Sequence, residues 1–435
     1  MIEFDPVLVH DWLSRSARRF PDKEALICGS QRWTYRSLDY HTHILAESLL
    51  SMGLQRRDRV LIFLDNSSET VISLYAALKA GGAFVIVDGG VKSSRLKYVL
   101  ANSGAKIIIT HTSKAAVVKE SLDGSTDDCR IIWAGPQQQI PADLSDKSVT
   151  WNSMFGKSDT WPCTNIEMPA EDNLPRCVDI DLATLIYTSA TTGDPKGIIS
   201  THHNMVSAAR SIIQYLGNTE DDIILSVLPL SFDYGLYQII MAFMFGGAVV
   251  LERSFMYLHK ILQRIPEEQV TGFPIVPTIV AMLLKATNLD NYDLSTLRYM
   301  TNTGAALPEK HIRTIRELFP RVRIFSMFGL TECKRVCYLP PEHIDAKPGS
   351  VGRAMPNCEV FLVDEKGNEV PPGRTGELIV RGSNVMQGYW NDPETTARTY
   401  KPGQYPAERF MYSGDYFRRD EQDFLYFLGR KDSMI

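Results

Sequence analysis

Apolar residues recur along this chain with two periods, and the points where one gives way to the other define its predicted elements. Arg59 to Asp65 (RVLIFLD) is a near-continuous apolar run of the kind a buried strand needs. Ser67 to Ala80 spaces its apolar residues helically behind a serine cap and stops at Gly81-Gly82. A strand over Ala83 to Val87, a helix over Ser93 to Asn102 and a strand over Ile107 to Thr110 continue the alternation, which predicts a parallel sheet covered by helices.

After a stretch rich in Pro, Ser, Asp and Gln, Gly135 to Asp179, read as a long surface connection, the alternation resumes. Strands are predicted near 222–228, 248–251, 270–276, 297–301 and 323–327, with helices at 236–245, 255–265, 277–286 and 308–318. The uncharged run Gly235 to Leu251 is broken at Gly246-Gly247 and falls short of the roughly 20 residues of a membrane span, so it reads as a buried helix and strand. Past residue 345 the texture becomes that of hairpins: Glu359 to Val363, a turn at 365–368, Glu377 to Val380, Phe410 to Arg418 and Phe424 to Leu428. The expected fold is α/β: a first lobe over 1–180, a second over 181–344 and a smaller β-barrel-like subdomain over 345–429.

Composition narrows the function. Of 435 residues, 44% are hydrophobic and 22% charged, which excludes a disordered, collagen-like or coiled-coil chain. With 46 Lys+Arg against 51 Asp+Glu the net charge is -5, so the protein as a whole has no attraction to nucleic acid. The seven cysteines never fall in a CxxC spacing, and no basic segment precedes an apolar one at the N-terminus. A cytoplasmic protein without a disulfide framework, zinc site or secretory leader is expected.

The chemistry is concentrated in LIYTSATTGDPKGIISTHHN, Leu185 to Asn204: a strand, a Thr/Ser/Gly loop with one lysine, then a helix. Such a loop offers hydroxyls and open backbone N–H groups to phosphate oxygens. A Walker loop ends in GK and a hydroxyl residue, whereas this one ends in PKG, which disfavours a kinase-like phosphotransferase. The adjacent His202 and His203 would point apart on a helix and cannot share a metal, so a helix-start role is expected.

YTSATTGDPKG resembles the phosphate loop of the adenylate-forming superfamily, which includes acyl-CoA synthetases, nonribosomal peptide synthetase adenylation domains and firefly luciferase. Ala190-Thr191 departs from the usual Gly-Thr or Gly-Ser. Four more segments follow in the family's order: Asn302 to Leu307 (NTGAAL), Met327 to Glu332 (MFGLTE), Tyr412 to Asp415 (YSGD) and Gly429 to Asp432 (GRKD).

The resemblance implies ATP and Mg²⁺ as cofactors. Nucleotide would be held by Thr188, Ser189, Ala190, Thr191, Thr192, Gly193 and Lys196, by Gly304, Ala305, Ala306, Met327, Phe328 and Gly329 around adenine, and by Thr331, Asp415 and Arg430. Lys196, Thr188, Thr191 and Glu332 with its metal would carry the catalytic electrostatics. Asp432 matches the hinge, with 430–435 as the hinge segment and 1–429 as the large core. In the family a mobile C-terminal domain follows, and a chain ending at Ile435 is expected to lack it and to adenylate slowly.

For the acid, alignment implicates Asp233, Tyr234, Tyr237, Pro274, Thr301, Thr303, Met327, Arg335 and Val336. Asp233 sits where amino-acid-activating domains hold the substrate ammonium, although SFDYG is also reminiscent of stand-alone acyl ligases. Lys334-Arg335 departs from the usual small residues, and either recognises a second anionic group or faces solvent. The implied function is activation of a small amino, cyclic or aryl acid as its acyl-adenylate, for transfer to coenzyme A or a carrier-protein thiol. The alternatives are a ligase for a medium-chain acid and a module that binds nucleotide without turnover.

Overall fold

The computed structural model describes residues 5–122, 129–155, 173–188, 194–286, 289–305, 307–406 and 408–433. These fall into two compact units, the first comprising 1–206, 228–254 and 389–391 and the second the remainder.

The first unit is built on a seven-stranded sheet. Its order is Ser148–Thr150, Arg130–Ala134, Ile107–His111, Arg59–Phe63, Ala83–Ile86, Leu182–Thr188 and Lys196–Thr201. The pairings are parallel until the last, where Leu182–Thr188 and Lys196–Thr201 form an antiparallel hairpin. The two strands after residue 180 thus extend the first sheet, beyond the boundary the sequence placed there. Gly135 to Asp179 is not wholly surface connection either. It supplies the edge strand Ser148–Thr150, held by a 2.8 Å hydrogen bond from Trp133 Nε1 to Ser148 Oγ, and it buries Trp151. Burying two indoles is worth several kcal/mol, more than the weak local propensity of that stretch opposes.

The segment before Arg59, to which the periodicity assigns no element, contains the helices Val9–Arg19 and Tyr35–Ser51 and the hairpin of Glu24–Cys28 with Gln31–Thr34. Glu24–Cys28 pairs in parallel with Ala248–Leu251. The uncharged run is the helix Asp233–Phe245, stopped by Gly246 at φ +80°, followed by that strand. No helix among the described residues is long and apolar enough to cross a membrane.

This unit also buries neutral imidazoles. His202 opens the helix His202–Leu216, where its Nδ1 accepts a 3.2 Å bond from the Val9 amide and its ring lies edge-on to His10 at 5.4 Å. Burial lowers the pKa of His202 and of His41 to about 4, and takes His10 well below the usual imidazole range. The unfolded chain takes up these protons near 6.5, whereas the folded protein resists them until about 4. Stability is therefore unaffected above pH 7 and falls as pH drops through that window, by an upper bound of about 3 kcal/mol per imidazole. Urea unfolding at pH 7.5, 6 and 5 should show the midpoint falling, and a constant midpoint would refute the assignment.

The second unit holds four parallel strands, Ile223–Ser226, Gly272–Ile275, Tyr299–Asn302 and Arg323–Phe328, continued by antiparallel Cys337–Leu339 and Arg353–Ala354. The predicted helices appear as Leu258–Glu267, Pro277–Lys285 and Glu309–Leu318. An antiparallel sheet of Cys358–Val363, Thr375–Gly382, Arg409–Arg419, Tyr400–Pro402 and Leu425–Arg430 completes the unit. Its strand order does not close into a barrel among the described residues.

Candidate functional site

In the first unit, Thr188 pairs with Lys196 and Tyr187 with Gly197, so the phosphate-loop segment is the tip of a hairpin. The expected strand, loop and helix are corrected to strand, loop and strand, the helix beginning only at His202. The β-branched Ile198 and Ile199 favour an extended chain. Ser189, Ala190, Thr191, Thr192 and Gly193 lie outside the described residues. Thr188 and Lys196 are half-buried at the two ends of the tip.

A β-carbon at Gly197 would stand 2.9 Å from the Tyr187 ring, which would have to shift to admit it. Asp233 is the first residue of its helix and is half-buried. The turn leading to it is pinned by Asn66, whose amide donates to the Leu228 and Glu252 carbonyls and whose Oδ1 accepts from the Leu230 amide. Gly235 is obligatory: a side chain would meet the Pro229 carbonyl at 2.4 Å. Tyr234 and Tyr237 are both fully buried.

In the second unit the predicted residues gather at the carboxyl ends of the parallel strands, where open α/β sheets bind ligands. Pro274 registers with Thr301, Thr301 with Phe325 and Asn302 with Ser326. Thr301, Thr303, Met327 and Val336 are buried, and Met327 Sδ accepts from Tyr215 Oη at 2.9 Å. Gly304 (φ +85°) and Ala305 are exposed on a turn closed by Asn302 Nδ2 donating to the Ala305 carbonyl, and Ala306 lies outside the described residues. Phe328, expected against adenine, is half-buried with one edge on Phe417 and its plane close to Phe427.

The turn from Gly329 to Val336 is unusually constrained. A β-carbon at residue 329 would stand 2.0 Å from the Lys334 carbonyl, so only glycine permits the closure. Lys334 itself adopts φ +62°, in the left-handed region that disfavours side chains. Of the two readings for Lys334-Arg335, solvent exposure is overturned: they retain only 3% and 6% of their exposure. Asn384, itself 1% exposed, donates to the carbonyls on either side of Lys334, at Cys333 (2.8 Å) and Arg335 (3.0 Å). The Glu332 carbonyl accepts from the Met386 amide at 2.9 Å and Tyr400 Oη at 3.3 Å. Three carbonyls of the turn, those of Glu332, Cys333 and Arg335, are thus taken up in fastening it. Asn384 escaped sequence reading; the signal was an amide between the strand 375–382 and the apolar Val385-Met386. Cys333 and Cys337 are buried, and burial raises the Cys337 thiol well above its ordinary range, which keeps it an unreactive thiol.

Three motifs far apart in the chain converge here. Asp415 registers with Arg430 across the hairpin, with 3.0 Å between Oδ1 and Nη1. Arg430 also stands 3.6 Å from Asp432 in the last turn, while Lys431 pairs with Glu377 at 2.9 Å. Burial raises Asp415 to about 6 against the opposing pull of Arg430, and the Glu332 and Asp432 charges add to the rise. Among the described residues no three His, Cys, Asp or Glu side chains cluster as a metal cage.

A family profile described as AMP-binding enzyme matches residues 13–390. The 4-coumarate–CoA ligase 2 of Nicotiana tabacum is 28% identical over 438 residues, covering 98% of this chain and 76% of the ligase. The long-chain-fatty-acid–CoA ligase of Bacillus subtilis (strain 168) is 30% identical over 447 residues, covering 97% and 76%. Among solved structures, VinN superposes with a TM-score of 0.81 at 32% identity over 99% of this chain and 100% of VinN. VinN has also been solved in complex with L-aspartate and with 3-methylaspartate.

Proposed function

The chain belongs to the AMP-binding enzyme family, and from that premise we propose that it activates a small amino dicarboxylic acid of the aspartate type. One carboxylate of the acid attacks the α-phosphorus of ATP, its P–O bond to pyrophosphate breaks, and an acyl-adenylate and pyrophosphate result. Transfer of the acyl group to the thiol of coenzyme A or of a carrier protein releases AMP.

The observation that carries the substrate class is the burial of Lys334 and Arg335 side by side. Burying two basic side chains carries a desolvation cost, and an anion bound beside them would offset part of it. A lysine kept at positive φ adds a strain of roughly 1–3 kcal/mol that glycine would avoid, and such strain concentrates at functional sites. The complexes of VinN with L-aspartate and 3-methylaspartate support the same class.

In this reading Asp233 takes the substrate ammonium and the Lys334-Arg335 pair the second carboxylate. Lys196, Thr188 and Thr191 meet the phosphates, and Asp415, assisted by Arg430, accepts from the ribose hydroxyls. Gly304, Ala305 and Phe328 frame the base. Mg²⁺ would be held by Glu332 with Thr331 beside it, and it supplies neutralisation of phosphate charge. The protein's work is to bring two mutually repelling anions together and to stabilise the charge that develops at phosphorus. Domain motion about Asp432 belongs to the proposal.

Acid-dependent pyrophosphate exchange tests it. L-aspartate and 3-methylaspartate should support exchange, while succinate, lacking the ammonium, and β-alanine, lacking the second carboxylate, should each fall by about 100-fold, the loss of one charge-assisted contact. Equal exchange with succinate removes the role of Asp233, and equal exchange with β-alanine removes that of the basic pair.

A further inference from the structure

The segment Gly388 to Asn391 (GYWN) is absorbed by none of the roles above, yet Tyr389–Asn391 belongs to the first compact unit. Tyr389 bridges to Ile198 in antiparallel register, and the Trp390 amide donates to the Gly197 carbonyl at 2.7 Å. Trp390 Nε1 and Asn391 Nδ2 both donate to the Asn102 carbonyl, at 3.0 and 3.2 Å, while Tyr187 Oη donates to Asn102 Oδ1 at 2.6 Å. Arg59 lies 5.4 Å over the Trp390 ring. Both strands of the hairpin, at Tyr187 and at Gly197, are therefore tied to one anchor at Asn102. The Tyr389 ring, 9% exposed, lies with its centroid 5.4 Å from Lys196 Nζ.

We infer that Tyr389 is a positioning residue for Lys196: its ring holds the ammonium at the root of the phosphate loop, and the Trp390 strap holds the strand that carries it. A flexible lysine loses considerable rotamer entropy when it engages phosphate. A ring face beneath the ammonium meets part of that cost in advance without itself consuming an N–H donor. The inference rests on the proposed contact of Lys196 with phosphate. It predicts that Tyr389 controls affinity for nucleotides carrying β- and γ-phosphates, and not for AMP.

The test replaces residue 389 with phenylalanine (Tyr389→Phe) and then with mono-, di- and trifluorinated phenylalanine, which keep the shape and progressively abolish the negative ring face. Calorimetry with Mg-ATP and with AMP on the full chain should show ATP affinity falling along the series by about 5- to 30-fold in total, with AMP affinity constant. In a Lys196→Met background the same series should have no effect on ATP. A flat series in a chain where Lys196→Met weakens ATP binding overturns the inference, and so does a parallel loss for ATP and AMP. If Lys196→Met leaves ATP affinity unchanged, the phosphate role of Lys196 fails instead. The coupling is then read from the rate of amine acylation at Lys196, which must rise along the fluorinated series; a constant rate refutes it.

Discussion

Replacing Asp415 with asparagine should weaken nucleotide binding by about 100-fold while making the protein more stable at neutral pH. The two effects share one cause. Asp415 retains 2% of its exposure, and burial holds its pKa near 6. Well below its ordinary pKa of 3.8 the carboxyl is protonated in the folded and unfolded chains alike and costs nothing. As pH rises through about 6 the folded protein must ionise a buried group that the unfolded chain ionises freely, and roughly 1–3 kcal/mol of stability is lost. The amide of the variant cannot ionise, so the stability gain of Asp415→Asn should grow from pH 4 to pH 7 and then level off. The same ionised carboxylate accepts from both ribose hydroxyls in the proposed site. Loss of its charge removes about 1.5–3 kcal/mol for each charge-assisted bond weakened. AMP titrations from pH 7.5 to 5 should show wild-type affinity falling below about pH 6 and the variant's remaining level. A variant that binds AMP like wild type would remove Asp415 from the site, and one no more stable at pH 7 would remove the burial argument.

Lys334→Gly should separate substrate recognition from folding in the same way. Glycine accepts φ +62° without the strain of roughly 1–3 kcal/mol, and its greater freedom in the unfolded chain takes back only about 0.5–1 kcal/mol of that, so the variant should melt no lower than wild type. Against that, it removes one of two buried cations. The specificity constant for aspartate should fall by about 100- to 1000-fold, the equivalent of one or two charge-assisted hydrogen bonds, and KM for ATP should stay unchanged. Arg335→Met, which keeps most of the apolar stem, should give a comparable loss. Should Lys334→Gly retain full activity with aspartate, the basic pair is structural and the substrate class proposed for it is wrong. A proportionate rise of KM for ATP would instead place Lys334 at the nucleotide.

Much of the architecture was legible because the parallel strands write their burial on the chain. Strands such as Arg323–Phe328 and helices such as Pro277–Lys285 lie within one or two residues of their predicted bounds. The failures are as informative. Nothing local announces that Trp151 is buried, or that the hairpin ending in Lys196–Thr201 extends the first sheet. Those outcomes depend on partners dozens of residues away. The site shows the same division. Asp415, Glu332 and Arg430 were legible as motif members, whereas Asn384 and Tyr389 act on the backbone or side chain of another residue and carry no motif of their own.

By itself the sequence determined the alternation of strands and helices, the order of the motif segments and the membership in the AMP-binding enzyme family, because periodicity and short motifs are local properties of a chain. Only the tertiary structure decided that Lys334 and Arg335 lie buried. It also decided that Asp415, Arg430 and Asp432 share one electrostatic neighbourhood with Glu332, and that Lys196 begins a strand with an aromatic ring beneath it. Charge becomes costly, and therefore informative, only where long-range pairing has removed water from around it.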